Sequence, residues 1–171
     1  TGLVHPTEAP RPTTSEAEKE VWSALRKRLP GGWRAWHSLR LRDGKGYLGE
    51  GDFVLARPER GMLVLEVKGG HVEQRDGRWF QNGDPLEASP LTQGLGFQKK
   101  LLARLDSYGC QPPAWGAAVA FPDTEFDDTP TSDDLQGAVV GMTQLHWLAE
   151  YFDSVVRRAL PKPGAPRGDW I

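Results

Sequence analysis

The chain has 171 residues, 38% of them hydrophobic, enough to bury one sizeable core in a single domain. Its 21 basic and 23 acidic side chains leave a net charge of −2, which excludes bulk electrostatic attraction as the main grip on nucleic acid. No run approaches the roughly 20 apolar residues of a membrane span, no secretory leader is visible, and the single cysteine, Cys110, excludes an internal disulfide, so a soluble cytoplasmic protein is expected.

In chain order, residues 1–14 hold several prolines and few apolar groups and read as an irregular lead-in. Ser15-x-x-Glu18 is a capping-box pattern, followed by an apolar stripe of Val21, Trp22, Leu25 and Leu29 on a helix that Pro30-Gly31-Gly32 ends. Trp33 to Arg42 reads as a strand and Asp43 to Gly46 as a turn. Gly49 to Leu55 and Gly61 to Lys68 are two further strands, joined by a Pro58/Gly61 turn into an antiparallel hairpin. His71 to Arg75 and Arg78 to Gln81 form a short ribbon around Asp76-Gly77, a type I′ turn signal. Ser89-Pro90 opens a helix to about Tyr108, with Leu91, Leu95, Leu101, Leu102 and Leu105 available for packing, and Cys110 beyond it is structural. Ala114 to Phe121 is a buried strand, Pro122 to Leu135 an acidic exposed loop, and Ala138 to Val140 a short strand. Thr143 caps a last helix through about Leu160, with a stripe of Leu145, Leu148, Phe152, Val155 and Val156. Pro161 to Ile171 reads as a linker, which leaves residues 15–160 as the domain. The sum is an α/β domain with a central mixed β-sheet flanked by helices.

The chemistry sits on the hairpin. Strand side chains alternate, so Val64, Glu66 and Lys68 share one face, and the hairpin brings Asp52 beside Glu66. Two carboxylates about 4 Å apart repel by roughly 4 kcal/mol at an effective dielectric near 20, a cost that a cation between them removes. All-oxygen ligands favour Mg²⁺ or Mn²⁺. Lys68 then faces the reacting group, where an amine orients water and offsets charge on phosphorus. The plainer alternative is a same-face ion pair on a solvated edge, worth less than about 1 kcal/mol.

Gly-x-Gly-Asp-Phe-Val-Leu followed by Gly-Met-Leu-Val-Leu-Glu-Val-Lys-Gly-Gly resembles the PD-(D/E)XK nuclease superfamily, and within it the nuclease-related domain, NERD. The resemblance runs from about residue 14 to 122 and takes in the acid-bearing first helix, the ribbon ending in Trp79 and the Pro90-x-x-Gln93 helix start. It implies a restriction-endonuclease-like core, Asp52 and Glu66 as metal ligands together with the Val67 backbone carbonyl, Lys68 as the catalytic amine, Glu18 as the helix-borne acid and Gln93 as a supporting polar group. It also implies fusion to, or association with, a helicase, which the Ala118-to-Asp123 region matches. If Glu18 closes the capping box it is unavailable to metal, and both readings stand at this point.

Histidines 5, 37, 71 and 146 lack ligand spacing for zinc, although His71 lies at the site's edge, and no P-loop is present. Arg40, Arg42, Lys45, Lys99, Lys100 and Arg104 are candidates for contact with the DNA backbone, and Trp79 is the candidate base-stacking residue, whereas Trp22 and Trp147 sit on helical stripes as core. The expected activity is metal-dependent hydrolysis of DNA by an endonuclease, with RNA an open alternative substrate. The rival from another class is an inactive nucleic-acid-binding or docking module of the same fold.

Overall fold

The computed structural model describes residues 1–126 and 138–171, so residues 127–135 of the expected acidic loop lie outside the described residues. The elements are β1 (Leu3–His5), α1 (Glu16–Arg28), β2 (Arg34–Asp43), β3 (Gly46–Arg57), β4 (Gly61–Val67), β5 (Val72–Arg75), β6 (Arg78–Gln81), β7 (Asp84–Pro85), α2 (Pro90–Ser107), β8 (Trp115–Ala120), β9 (Val139–Val140), α3 (Met142–His146) and α4 (Leu148–Ala159). Six strands form one mixed sheet in the order β1-β2-β3-β4-β8-β9, antiparallel across β2, β3 and β4 and parallel at β1–β2, β4–β8 and β8–β9. The expected α/β architecture is therefore present.

Every residue of β4 is buried, the pattern of a strand covered on both faces. Leu63, Leu65 and Val67 join a core with α1, α3 and α4, while Met62 and Val64 join a second core under α2. The parallel step from β4 to β8 needs a long crossover, which the β5–β7 ribbon and α2 provide. On α2, Leu91, Phe97 and Leu101 turn to the sheet, at spacings set by the helical period. Leu95 is off that row and 41% exposed, so it does not pack as expected. Gly96 is mid-helix, and a Cβ there meets nothing within 4 Å. Gly96→Ala is accordingly expected to stabilise the protein by about 0.5–1 kcal/mol through the lost backbone entropy of glycine, read as a higher urea midpoint.

Three further expectations change. The lead-in contains β1, which pairs in parallel with β2 through Leu3↔Arg34 to His5↔Trp36. The last helix is two helices broken at Trp147; Gly141 occupies the cap, its N–H donating to Gln144 Oε1 at 3.1 Å, and Thr143 lies one residue inside with its hydroxyl on Glu125. At the break Trp147 swings outward and is 52% exposed, so it is not core; Trp22 is. Finally, the tail folds back. Arg167 pairs with Gln111, Gly164 N–H donates to Pro113 O, and Trp170 packs on the α2-side core.

Candidate active site at the splayed end of the hairpin

β3 and β4 pair in register from Arg57↔Gly61 to Phe53↔Leu65, which makes Asp52 and Glu66 the next opposed residues. There the ladder gives way. Asp52 Oδ2 accepts the Val67 N–H at 2.9 Å, which fixes that carboxylate beside Glu66. Lys68 Nζ stands 3.9 Å from Glu66 Oε1, with side chains only 17% and 12% exposed. The acids at 52 and 66 and the amine at 68 thus converge, and the Glu66–Lys68 pair is not a solvated edge pair.

Burial sets the electrostatics. Desolvation is the largest cause that raises the Asp52 carboxyl, to about 6; the Val67 N–H opposes it and the Glu18 charge reinforces it. Glu66 is raised to about 8, by burial first and the Asp52 charge second, with Lys68 offsetting only part. Burial and mutual repulsion thus push both carboxyls toward the protonated form, Glu66 further than Asp52, which favours one proton between the two acids.

Glu18 reaches this centre from α1. Ser15 Oγ accepts the Glu18 N–H, but Ser15 N–H donates to Thr13 Oγ1, so the capping box is only half made and the Glu18 carboxylate is released from it. Thr13 Oγ1 donates to Glu18 Oε2 at 2.9 Å, and His37 Nε2 lies 3.2 Å from Oε1. His37 Nδ1 accepts the Arg11 N–H, which leaves the ring proton on Nε2 to donate to Glu18. His37 is 1% exposed and stacks on Phe53, so the acid is held by a rigid donor.

α1 comes this near because Gly69, directly after Lys68, has no side chain. A Cβ on Gly69 would lie 2.7 Å from Ala17 Cβ. Gly69→Ala should cost about 1–3 kcal/mol by overpacking, and adding Ala17→Gly should recover much of it; urea midpoints of the single and double variants check this. On the other face Gly94 packs over the site, where a Cβ would meet Glu66 Cβ at 3.6 Å. Gln93 is half-buried beside it in the first turn of α2, while Gln98 is buried one turn on with its Oε1 unpartnered among the described residues.

Ser38, opposite Asp52, has φ 55°, and strand alternation inverts around it. His37 faces α1, whereas Leu39 and Leu41 join the α2-side core. The inversion opens a cavity of about 690 Å³ onto which Thr13, Glu18, Ser38, Arg40, Glu50 and Asp52 open. Glu50 accepts the Ser38 hydroxyl and pairs with Arg40 Nε at 3.4 Å. Sequence reasoning assigned no role to Glu50, Ser38, Thr13 or His37. For Glu50, its place two residues before Asp52 was a usable signal; for His37, nothing local was.

The remaining candidates divide. Lys45, Lys99 and Lys100 are exposed, and Lys100 Nζ donates to Leu48 O. Trp79, expected to stack on a base, is instead 4% exposed, stacked against Phe121 and Phe126, and unavailable to one. His71 is exposed and pairs with Glu73.

Among the described residues no group of three or more His, Cys, Asp and Glu side chains is arranged to hold a metal ion. What is present is an all-oxygen pair of buried acids, Asp52 and Glu66, next to a third acid, Glu18. That set fits Mg²⁺ or Mn²⁺, which need only one or two protein carboxylates and fill the shell with water and phosphate oxygens. A cation in place of a proton between them relieves both the repulsion and the desolvation.

No helix is long and apolar enough to cross a membrane among the described residues. Compared with protein families, residues 13–122 match the nuclease-related domain. Among curated proteins and among solved structures nothing matches the chain.

Proposed function

The chain belongs to the nuclease-related domain family, and we propose that within it the protein is a PD-(D/E)XK-type, Mg²⁺- or Mn²⁺-dependent endonuclease that hydrolyses DNA, working as part of a larger helicase-linked, cytoplasmic protein. The observation that carries the reading is the buried Asp52–Glu66 pair, with Asp52 fixed by the Val67 N–H and Lys68 Nζ 3.9 Å from Glu66. Two buried carboxyls side by side, with both pKa values displaced, are costly to keep unless a ligand uses them.

Asp52 and Glu66, with the Val67 carbonyl as a third donor, hold the cation, and Gln93 supports the site from α2. When bound, the cation supplies positive charge against the scissile phosphate and lowers the pKa of attacking water. Val67 N–H and Lys68 position the two acids. Lys68 orients the water through its ammonium and stabilises charge that builds on the phosphate oxygens. Glu18, fixed by Thr13 and His37, offers a third oxygen ligand or a water contact on the cavity side.

Asp52→Asn tests the assignment without disturbing the fold, because an amide oxygen still accepts the Val67 N–H. Calorimetry with Mn²⁺ is expected to give binding for the wild type and at least about tenfold weaker binding for the variant, in line with lost ligation. The same titration separates the inactive-module reading, for which neither protein binds the ion. Cutting of matched DNA and RNA by the wild type assigns the substrate.

A further inference from the structure

The β2–β3 hairpin extends past the cavity to a tip at Asp43–Gly46, and Tyr47 on this ridge is 61% exposed, with Leu48 beside it at 39%. Arg42 pairs directly with Tyr47 across the ladder, which puts a guanidinium and an exposed ring on one face. Arg104 donates to Arg42 O and Lys100 to Leu48 O, so two cations from α2 brace the ridge and leave their charge on it. With Arg40 and Lys45 the ridge carries five cations against Asp43 and Glu50, in a chain whose net charge is −2. Asp43 is spent on the turn, accepting the Lys45 N–H, and Glu50 on Ser38 and Arg40.

We propose that this ridge binds a single-stranded stretch of DNA, with Tyr47 stacking on a base while Arg42 and Lys45 follow the flanking phosphates. The inference deepens the nuclease reading by naming the substrate form. Exposed aromatics among cations are the recurring device for single strands, because stacking needs an unpaired base and the phosphates need charge. The same strand leads from Tyr47 to Asp52, about 16 Å at strand rise. A strand seated on the ring is thereby delivered to the carboxylates a few nucleotides away. The role expected of Trp79 from the sequence falls to Tyr47, since Trp79 is buried.

The test uses fluorescence anisotropy of a short end-labelled single-stranded oligonucleotide, and of its duplex, with the full chain in EDTA so that no cutting occurs. Tyr47→Ala is expected to weaken single-strand binding about fivefold or more and duplex binding by less than twofold, with Tyr47→Phe near the wild type. Arg42→Gln and Lys45→Gln should each lower the slope of log affinity against log salt by about one. In cutting assays Tyr47→Ala raises KM and leaves kcat unchanged. Absence of single-strand binding by the wild type, an unchanged affinity in Tyr47→Ala, an equal loss on duplex, or an equal loss in Tyr47→Phe overturns the proposal. Because binding is read without divalent ions, a wild type that binds through Tyr47 but never cuts keeps this inference and sinks the nuclease reading; one that cuts normally after Tyr47→Ala does the reverse.

Discussion

Lys68→Ala is expected to lower DNA cutting in Mg²⁺ or Mn²⁺ by at least about a hundredfold while the protein stays folded. The size follows from the position. An amine that assists proton transfer and faces developing charge in a largely buried site contributes on the order of 10²–10⁴ in rate. Truncation also removes the charge that partly offsets burial at both carboxyls, so the acids hold their proton more tightly and yield it to a cation less readily. Part of the loss should therefore appear as weaker Mn²⁺ binding, which calorimetry separates from the loss in rate at saturating ion. Lys68 follows the last residue of β4 rather than lying within it, so the thermal transition should move little. Nicking of supercoiled DNA is the readout. Equal cutting by wild type and variant removes the lysine from the mechanism.

The hairpin site was legible because its signal is local. Period-2 alternation in Gly61 to Lys68 and the turn before it fix which side chains share a face, and the register then carries Asp52 to Glu66 without further information. The layer arrangement was legible for the same reason, since runs buried on both faces need helices on both sides. What failed depended on tertiary context. Trp79 reads as a ribbon-end aromatic, but the ribbon folds onto Phe121 and Phe126, residues more than forty positions away. Trp147 fits a helical stripe until the chain breaks at that residue. The ambiguity over Glu18 was real in the sequence, because the choice between cap and site turns on Thr13 and on His37 from another element. The Ser38 inversion has no sequence signal at all: a serine at positive φ inside a strand is uncommon, and here the surrounding pairing holds it there.

Glu66→Gln should separate stability from metal binding. Glu66 and Asp52 hold their protons to higher pH in the folded state, about 8 and 6, than their ordinary values of 4.5 and 3.8. Between those limits the native state binds more protons than the unfolded chain, so unfolding free energy falls as pH rises. The contribution is fully present below about pH 4 and is lost as pH climbs through 6 and then 8. Without divalent ions the wild type is thus expected to be more stable at pH 5 than at pH 8.5, by an amount on the order of a few kcal/mol. Glutamine copies the protonated acid: it is neutral and its amide carries a donor for Asp52. The variant should match the wild type near pH 5, exceed it by a few kcal/mol at pH 8.5, and show a shallower pH slope. Added Mn²⁺ at pH 8.5 should then stabilise the wild type, which binds it in the native state alone, and leave the variant unchanged. Urea titrations of both proteins, in EDTA and in Mn²⁺ at the two pH values, measure each of these. A wild-type stability that is flat or rising between pH 5 and 8.5, with the variant parallel to it, means that the carboxyls at 52 and 66 do not share a proton, and the case for a cation in its place goes with it.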